Sequence, residues 1–277
     1  MKRYTLIYII ALLLGSSLTV NAQSGLVDHS FKERKPAELP PVREADVIWQ
    51  KTLWRIIDLR ERMNQNLYYP TVSIGDRKSL AYCLLQGIQQ GEYLGFKPGD
   101  TASEFSEPMT WGEIVSSMTS GFASTMSPDS IPDDYDIQDN IDFSLVKQLM
   151  VKESWFFNKQ SSRMEVRILA ICPILIYPKD IVNPDENLVR KLTFWVEYPD
   201  TRNFLCKNMV FNPYNEARTL SFDDVFINRK FSSYIVGESN VYNNRFISQY
   251  AKGEDALKEM KRIENEIFNW EQDVWEY

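Results

Sequence analysis

The residues able to do acid–base or nucleophilic chemistry are few and scattered along the chain. The only histidine, His29, lies in a polar stretch that has no period able to bury a face. Ser–His and Cys–His mechanisms need a base held within hydrogen-bonding distance of the nucleophile, which such a position does not provide. The sequence also has no G-x-x-x-x-G-K, G-x-G-x-x-G, H-E-x-x-H or G-x-S-x-G motif. We therefore expect no enzymatic activity, no catalytic residues and no cofactor.

Carboxylates are the remaining class with chemical potential. A glycoside hydrolase needs only two acids that face each other across a cleft, and Glu153 and Glu165 flank a predicted hairpin turn. Opposite Arg163 and Arg167 on an exposed sheet face, they are more typical of paired surface charges. A carboxylate-dependent glycan hydrolase is therefore a weak third hypothesis for this chain.

Neither the acidic loop nor the cysteines predict a metal site. Three aspartates are spaced somewhat like calcium ligands: Asp134, Asp136 and Asp139. The glycine and the closing glutamate of a calcium loop are missing at their places. Cys83, Cys172 and Cys206 are odd in number and far apart, which leaves one disulfide open but no C-x-x-C site. Cys172 fits a buried apolar position best, because it lies within LAICPILIY.

The N-terminus has the pattern of a secretory signal peptide over residues 1–22. Lys2 and Arg3 precede an apolar run at 6–14, and the small-residue exit Val-Asn-Ala ends at Ala22. The apolar run is too short for a membrane anchor, and no cysteine follows the expected cut to accept lipid. We expect the mature chain to begin at Gln23 in the periplasm, with no direct membrane anchor.

Size and charge limit the remaining classes. About 255 residues follow the cut, and 44% of the whole chain is apolar, enough for one packed domain over residues 42–277. The formal net charge of −7 becomes −9 when Lys2 and Arg3 are removed, which opposes binding to nucleic acid or an anionic membrane. Residues 23–41 are polar and proline-containing, which predicts an extended arm, either a tether or a segment that lies on a neighbour.

The first element after the arm is predicted as a helix over residues 43–63. At 100° per residue its core stripe consists of Ala45, Trp49, Leu53, Ile56 and Met63. Trp54 lies about 140° from Trp49, near Val47 and among charged residues, so it falls outside this stripe. Two interpretations remain open: a helix enclosed by its own domain, or a helix whose Trp54 side meets another chain.

Other helices are predicted at 78–91, from Thr110, from Ser221 and at the C-terminus. Thr110 and Glu113 have the spacing of a capping box. Residues 120–140 are polar and acidic, which predicts a flexible loop. The last helix has a heptad-like stripe of Ala256, Met260, Ile263, Ile267, Trp270 and Val274. This stripe is too short for a typical coiled coil and favours packing on the same domain.

The middle of the chain predicts four strands, at 149–157, 163–177, 188–198 and 203–211, separated by turn-rich segments. An antiparallel meander of these strands packed with several α-helices gives an α+β fold. In the second strand Met164, Val166, Ile168 and Ala170 are expected on one face, and both faces are apolar beyond Leu169.

Aromatic residues are the most informative class for function. Trp155 and Phe157 belong to the run Trp-Phe-Phe, whose neighbouring rings point to opposite faces of a strand, so both faces need cover. Core packing is the ordinary explanation, and a partner is the alternative. The candidates for a partner interface are Val47, Trp54, Trp155, Phe157 and Trp270.

Several long strings of the sequence resemble the GldN/PorN family of the type IX secretion and gliding motility machinery. These strings are VREADVIWQKTLWRIIDLRERMNQNLYYP, KESWFFNKQSSRMEVRILAICPI, FWVEYPDTR, SFDDVFINRKFSSYIVGESNVYNN and IFNWEQDVW. The resemblance implies a periplasmic, non-catalytic subunit that forms a ring with an outer-membrane lipoprotein of the GldK/PorK kind. It also implies contact with a GldM/PorM-type shaft rising from the inner membrane, and no catalytic residues.

Two classes of function therefore compete. The first is a structural subunit of a secretion ring that associates with itself, with the lipoprotein and with the shaft. The second is a periplasmic module whose aromatic residues bind peptidoglycan or another carbohydrate.

Overall fold

A computed structural model describes residues 33–99, 105–119, 128, 131–132, 134–179, 188–212 and 220–275. The predicted signal peptide, His29 and most of the 120–140 loop lie outside these residues. Within them the chain has an α+β fold, as expected, with a curled six-stranded antiparallel sheet and eight α-helices.

The main sheet has the strand order β4-β3-β2-β1-β8, and β5 pairs with β3 beside β4. The strands are β1 Val47–Asp58, β2 Val146–Asn158, β3 Arg163–Pro178, β4 Leu188–Leu192, β5 Val196–Glu197 and β8 Tyr234–Glu238. Two further strands, β6 Met209–Val210 and β7 Leu220–Ser221, form a separate ribbon. The helices are α1 Gln65–Tyr68, α2 Leu80–Gln89, α3 Trp111–Met118, α4 Ile137–Asn140, α5 Tyr198–Leu205, α6 Phe222–Ile227, α7 Ile247–Tyr250 and α8 Glu254–Trp275.

The predicted first helix is wrong, because this segment is the strand β1. It pairs with β2 along almost its whole length and with β8 on its other side. Val47, Thr52 and Ile56 are β-branched and Trp49 and Trp54 are aromatic, a composition that favours a pleated, packed surface. Apolar residues occupy both faces of this strand, so the alternation that marks a half-buried strand is blurred. Trp49 and Trp54 do point to opposite sides, since they are five residues apart in a strand.

The predicted strands have mixed outcomes. The first two are confirmed as β2 and β3, which pair as a hairpin. The third is divided into β4 and β5. The fourth, at 203–211, is largely wrong: its first residues belong to the helix α5, and only Met209–Val210 form a strand, β6, which lies outside the main sheet. Pro199 and Asp200 stand in the first turn of α5, where proline needs no amide partner and a carboxylate meets the positive end of the helix dipole.

The sheet has two buried faces. We call one the helix face, because Ile57, Leu149 and Ile171 pack there in a large core together with residues of α2, α3, α5 and α6. The other is the groove face, where Trp54, Ile56 and Met150 form a smaller core. Ala170 belongs to the groove face and not, as predicted, to the side of Ile168, since a bulge between the pairs Lys152↔Ala170 and Glu153↔Ile168 reverses the alternation.

The remaining helix predictions are largely confirmed. Thr110 and Glu113 form the predicted capping box of α3, and Ser221 caps α6 in the same way. The last helix, α8, packs on its own domain as expected: Ile263 and Ile267 are buried against Leu53 and Ile235. The strand β8 follows α6 in the chain and lies at one end of the main sheet.

The described part of the arm, residues 33–41, lies on the body of its own chain. Arg202 donates to the Ala37 carbonyl and Arg167 donates to the Pro40 carbonyl at 3.0 Å. The arm therefore has fixed contacts on this chain over these residues, rather than acting only as a tether.

Candidate partner-binding site

The five predicted interface residues differ in how much surface they leave to a partner. Trp54 and Phe157 are 1% and 3% exposed, so their side chains belong to the core of this chain. Val47 and Trp155 are half-buried, and Trp270 is 38% exposed. The expectation that Trp54 offers a free face depended on the predicted helix and is corrected by the strand, which buries this residue on the groove face.

Trp155 and Trp270 lie in the same region of the structure, which also contains Trp49. The Trp270 ring packs on Trp49 with centroids 5.7 Å apart, and Trp49 and Trp155 lie on the same apolar cluster with Met164. We call these four residues the tryptophan cluster. Its members are only partly covered, and large half-exposed aromatic side chains are typical of protein interfaces.

The ion pair of Glu153 and Arg229 contacts this cluster through Trp155. The Glu153 carboxylate is fully buried and accepts hydrogen bonds from Arg229, at 2.8 and 3.3 Å, and from Trp155 Nε1 at 2.9 Å. The Arg229 guanidinium lies 5.4 Å from the centre of the Trp155 ring. A buried carboxylate is strongly destabilised without its partners, so Glu153 holds both Arg229 and Trp155 in place. The orientation of the Trp155 ring is therefore fixed by these contacts.

The two carboxylates considered for glycoside hydrolysis do not share a cleft. Glu165 is paired with Arg167 at 3.4 Å, as predicted. Glu153 is not the exposed surface charge that was expected: it lies on the opposite side of the sheet, since its neighbour Ser154 pairs with Arg167. This pair therefore has no geometry for attack on a glycosidic bond.

An apolar groove of about 530 Å³ lies on the groove face, and it was not predicted from the sequence. Its floor crosses five strands, with Leu192 of β4, Ile174 of β3, Met150 of β2, Ile56 of β1 and Tyr234 of β8. We call this feature the sheet groove. One wall comes from Phe246, α7 and the start of α8, including Ala256 and Met260. Its size and apolar lining are typical of binding sites.

Two cations stand at the rim of the sheet groove. Arg190 on β4 donates a hydrogen bond to Gln148, which in turn donates to Asp58 at 3.0 Å. The guanidinium of Arg60 holds the pKa of Asp58 well below its usual range, so that carboxylate is already neutralised by a partner. Lys252 stands at the other side, in the turn between α7 and α8, and is exposed.

Only one sequence signal pointed toward this groove. The run from Ala170 to Ile176 is apolar on both faces, which required cover on both sides of the sheet. The helix face is covered by helices of this chain, whereas on the groove face the described residues provide only part of the cover. The wall segment, residues 246–260, is far in sequence from most strands of the floor. The spacing of residues within one segment therefore could not predict the groove.

The described residues contain no other chemical centre. They hold no cluster of three or more His, Cys, Asp or Glu side chains that could bind a metal ion. The three cysteines are buried and none of them forms a disulfide, so the bridge that the sequence left open is not made. Asp136, one of the aspartates compared with a calcium loop, caps α4. No helix in the described part of the chain is long and apolar enough to cross a membrane.

Comparison with known proteins supplies the family. The family described as "Gliding motility associated protein GldN" matches residues 42–276, which is nearly the whole of the α+β domain. No curated protein sequence matches the chain. The chain therefore belongs to the GldN family and is a component of the gliding motility and type IX secretion machinery.

Proposed function

We propose that this chain is a non-catalytic periplasmic subunit that forms a ring with an outer-membrane lipoprotein of the GldK/PorK kind and contacts a GldM/PorM-type shaft. The observation that carries the proposal is the GldN family match over residues 42–276. Ring formation requires each subunit to present two different complementary surfaces. The tryptophan cluster on one side of the sheet and the sheet groove on the other are candidates for them, and Val47, Trp155 and Trp270 remain the proposed contact residues.

A second set of exposed apolar residues supports an assembly role. Val241 is 91% exposed at the tip of the loop after β8, and Tyr242 beside it stacks on Arg245, 4.7 Å from the ring centre. Asn240 braces this loop through hydrogen bonds with Glu238, Tyr242 and Arg245. A braced loop that carries Tyr and Arg loses little conformational entropy on binding.

Co-purification tests the proposal. The chain and a lipoprotein of the GldK/PorK kind are produced together, isolated through a tag on the lipoprotein and imaged for rings. We expect a stable complex, and we expect Trp270→Ala to weaken it at least about tenfold, as for a residue at an interface centre. Phe268→Ala is the matched control, because Phe268 is exposed on the same helix but lies about 200° away from Trp270.

The outcomes separate the function from the contact residue. Failure of the unmodified chain to co-purify would contradict the ring function, and binding to purified cell-wall sacculi instead would favour the carbohydrate-binding alternative. A complex that tolerates Trp270→Ala but not Phe268→Ala would keep the ring and move the contact to the other side of α8.

A further inference from the structure

We infer that the sheet groove binds an amphipathic α-helix of a partner protein that carries acidic residues near both ends of the bound segment. This inference deepens the proposed function and rests on it in one respect, that the partner is another protein of the machinery.

The two faces of the sheet are unequally covered. On the helix face, residues from six helices of this chain pack in one core with Leu149, Val151 and Ile171. On the groove face, Leu192, Tyr234 and Val236 pack against the small core but stay partly exposed. Sheets bury an apolar face by packing a second layer against it, most simply a layer of helices. Among the residues that the structure describes, no such layer fills the space of the sheet groove.

The floor of the groove favours a helix over an extended peptide. It is made of side chains that project from five hydrogen-bonded strands, so its surface offers few backbone N–H or C=O groups to a bound strand. An extended peptide would therefore lose hydrogen bonds to water without regaining them, whereas a helix satisfies its own backbone. From β4 to β8 the floor spans ~19 Å at ~4.8 Å per strand. A helix of ~13 residues has this length.

The charges at the rim favour an acidic protein segment over a lipid chain. The described residues that line the groove include two cations, Arg190 and Lys252, and no Asp or Glu. This is the reverse of the whole chain, which has 38 acidic residues against 31 basic ones. Arg190 lies on β4 at one end of the sheet, and Lys252 lies between α7 and α8, which both contact β8 at the other end. We therefore assign the two cations to opposite ends of the floor. An acyl lipid carries its anionic group at one end only, whereas a helix can place a carboxylate at each.

Arg190 has donors left for such a contact. Its hydrogen bond to Gln148 uses one of five N–H groups of the guanidinium. A partner carboxylate can therefore join Arg190 without breaking its contact with the sheet.

Two synthetic peptides of 14 residues provide the probe. Both are helical and carry leucines along one face, but the first has glutamate near each end and the second has lysine at the same places. Their affinities for the purified full chain are measured by isothermal titration calorimetry. We expect the glutamate peptide to bind at least about tenfold more tightly, since like charges across an interface are strongly unfavourable.

Reversal of the two groove charges in the protein tests the inference most directly. Arg190→Glu combined with Lys252→Glu should reverse the preference, so that the lysine peptide binds more tightly. Both side chains are exposed, so we expect the variant to fold, and its thermal melting verifies this. The matched control is Lys258→Glu with Lys261→Glu, which makes the same change in net charge on exposed residues of α8 outside the groove and should leave the preference unchanged.

Three results would overturn the inference: equal affinities for the two peptides, an unreversed preference in the Arg190/Lys252 variant, or displacement of the glutamate peptide by palmitate vesicles. The ring function is judged separately, by co-purification of the unmodified chain with the lipoprotein. If the chain assembles but shows no peptide preference, only the groove inference fails; if the peptides bind as expected without assembly, the proposed function fails.

Discussion

Among individual residues, Glu153 and Arg229 are the pair whose separation should cost most. Arg229→Ala leaves the buried Glu153 carboxylate without its cation, and removal of one partner of a buried pair costs about 3 kcal/mol or more. Urea unfolding measures this loss. The control is Arg229→Ala with Glu153→Gln, which removes the stranded charge and should recover part of the stability. A loss below about 1 kcal/mol in the single variant would show that water reaches the carboxylate.

Asp58 should make the fold sensitive to acid. Hydrogen bonds from the Arg60 guanidinium are the main cause that lowers its pKa below the ordinary value of 3.8, and Gln148 adds to the effect. A carboxyl whose pKa is lower in the folded chain stabilises the fold above pH 3.8, and this contribution is lost as the pH falls further. Asp58→Asn should therefore cost about 1 kcal/mol near neutral pH and little at pH well below 3.

Denaturant unfolding of both proteins as a function of pH measures the difference. Arg60→Gln should flatten the acid dependence in the same way, because it removes the main cause of the lowered pKa. Parallel stability curves for the unmodified chain and Asp58→Asn would contradict the assignment.

At the scale of elements, part of the prediction for β1 was right and part was wrong. Its Trp49 and Trp54 were correctly placed on different sides, yet within the wrong element. The charged residues Lys51, Arg55 and Asp58 break the apolar pattern at intervals that suit a helix, while pairing with β2 and β8 decides for a strand. Strand preference depends on such neighbours more than helix preference does, and one sequence does not show them.

Sequence patterns predicted the structure correctly where the interacting residues are close together in sequence. Thr110 and Glu113 form their capping box because both partners lie within one turn, and β2 and β3 follow from a short turn between two apolar runs. The sheet groove could not be predicted in this way, because Ile56, Met150, Leu192 and Met260 come from segments that are far apart in sequence. The same holds for the pair Glu153 and Arg229, which are 76 residues apart.

The assignment of β1 gives a prediction for Trp54. Its ring is buried on the groove face and meets Phe246 edge-on at 5.8 Å. Trp54→Ala should lower the free energy of unfolding by about 3–5 kcal/mol, as for other buried aromatic residues. Trp270→Ala should cost less than about 1.5 kcal/mol, since that ring is partly in solvent.

Thermal or urea unfolding of the two variants side by side measures the contrast. Equal stability losses, or a Trp54→Ala chain that unfolds like the unmodified one, would mean that Trp54 lies on a surface. In that case Trp54 would again be a candidate for contact with another chain.

At the scale of the whole molecule, the sheet divides the work between its faces. The helix face stabilises the chain with its own helices, while the groove face and the tryptophan cluster leave apolar surface that we propose is covered by other chains. The arm covers part of the domain near α6. Arg34 pairs with Asp224 at 2.9 Å, and the Arg34 carbonyl accepts a hydrogen bond from Cys206 Sγ at 3.2 Å. Cys206 is therefore shielded by a segment that precedes the domain in sequence.

The accessibility of Cys206 tests whether the arm stays on the body in solution. Cys206 is 2% exposed, and burial raises the pKa of its thiol, so the full chain should react very slowly with a thiol reagent such as DTNB. A chain that begins at Val42 should instead expose about one reactive thiol per molecule. Cys83 and Cys172 serve as internal controls because both stay fully buried in the core, and burial raises the pKa of Cys83 to about 12. Cys206→Ser in the shortened chain should abolish the reaction, whereas equal reactivity of the full and shortened chains would show that the arm leaves its place too readily to shield this side of the molecule.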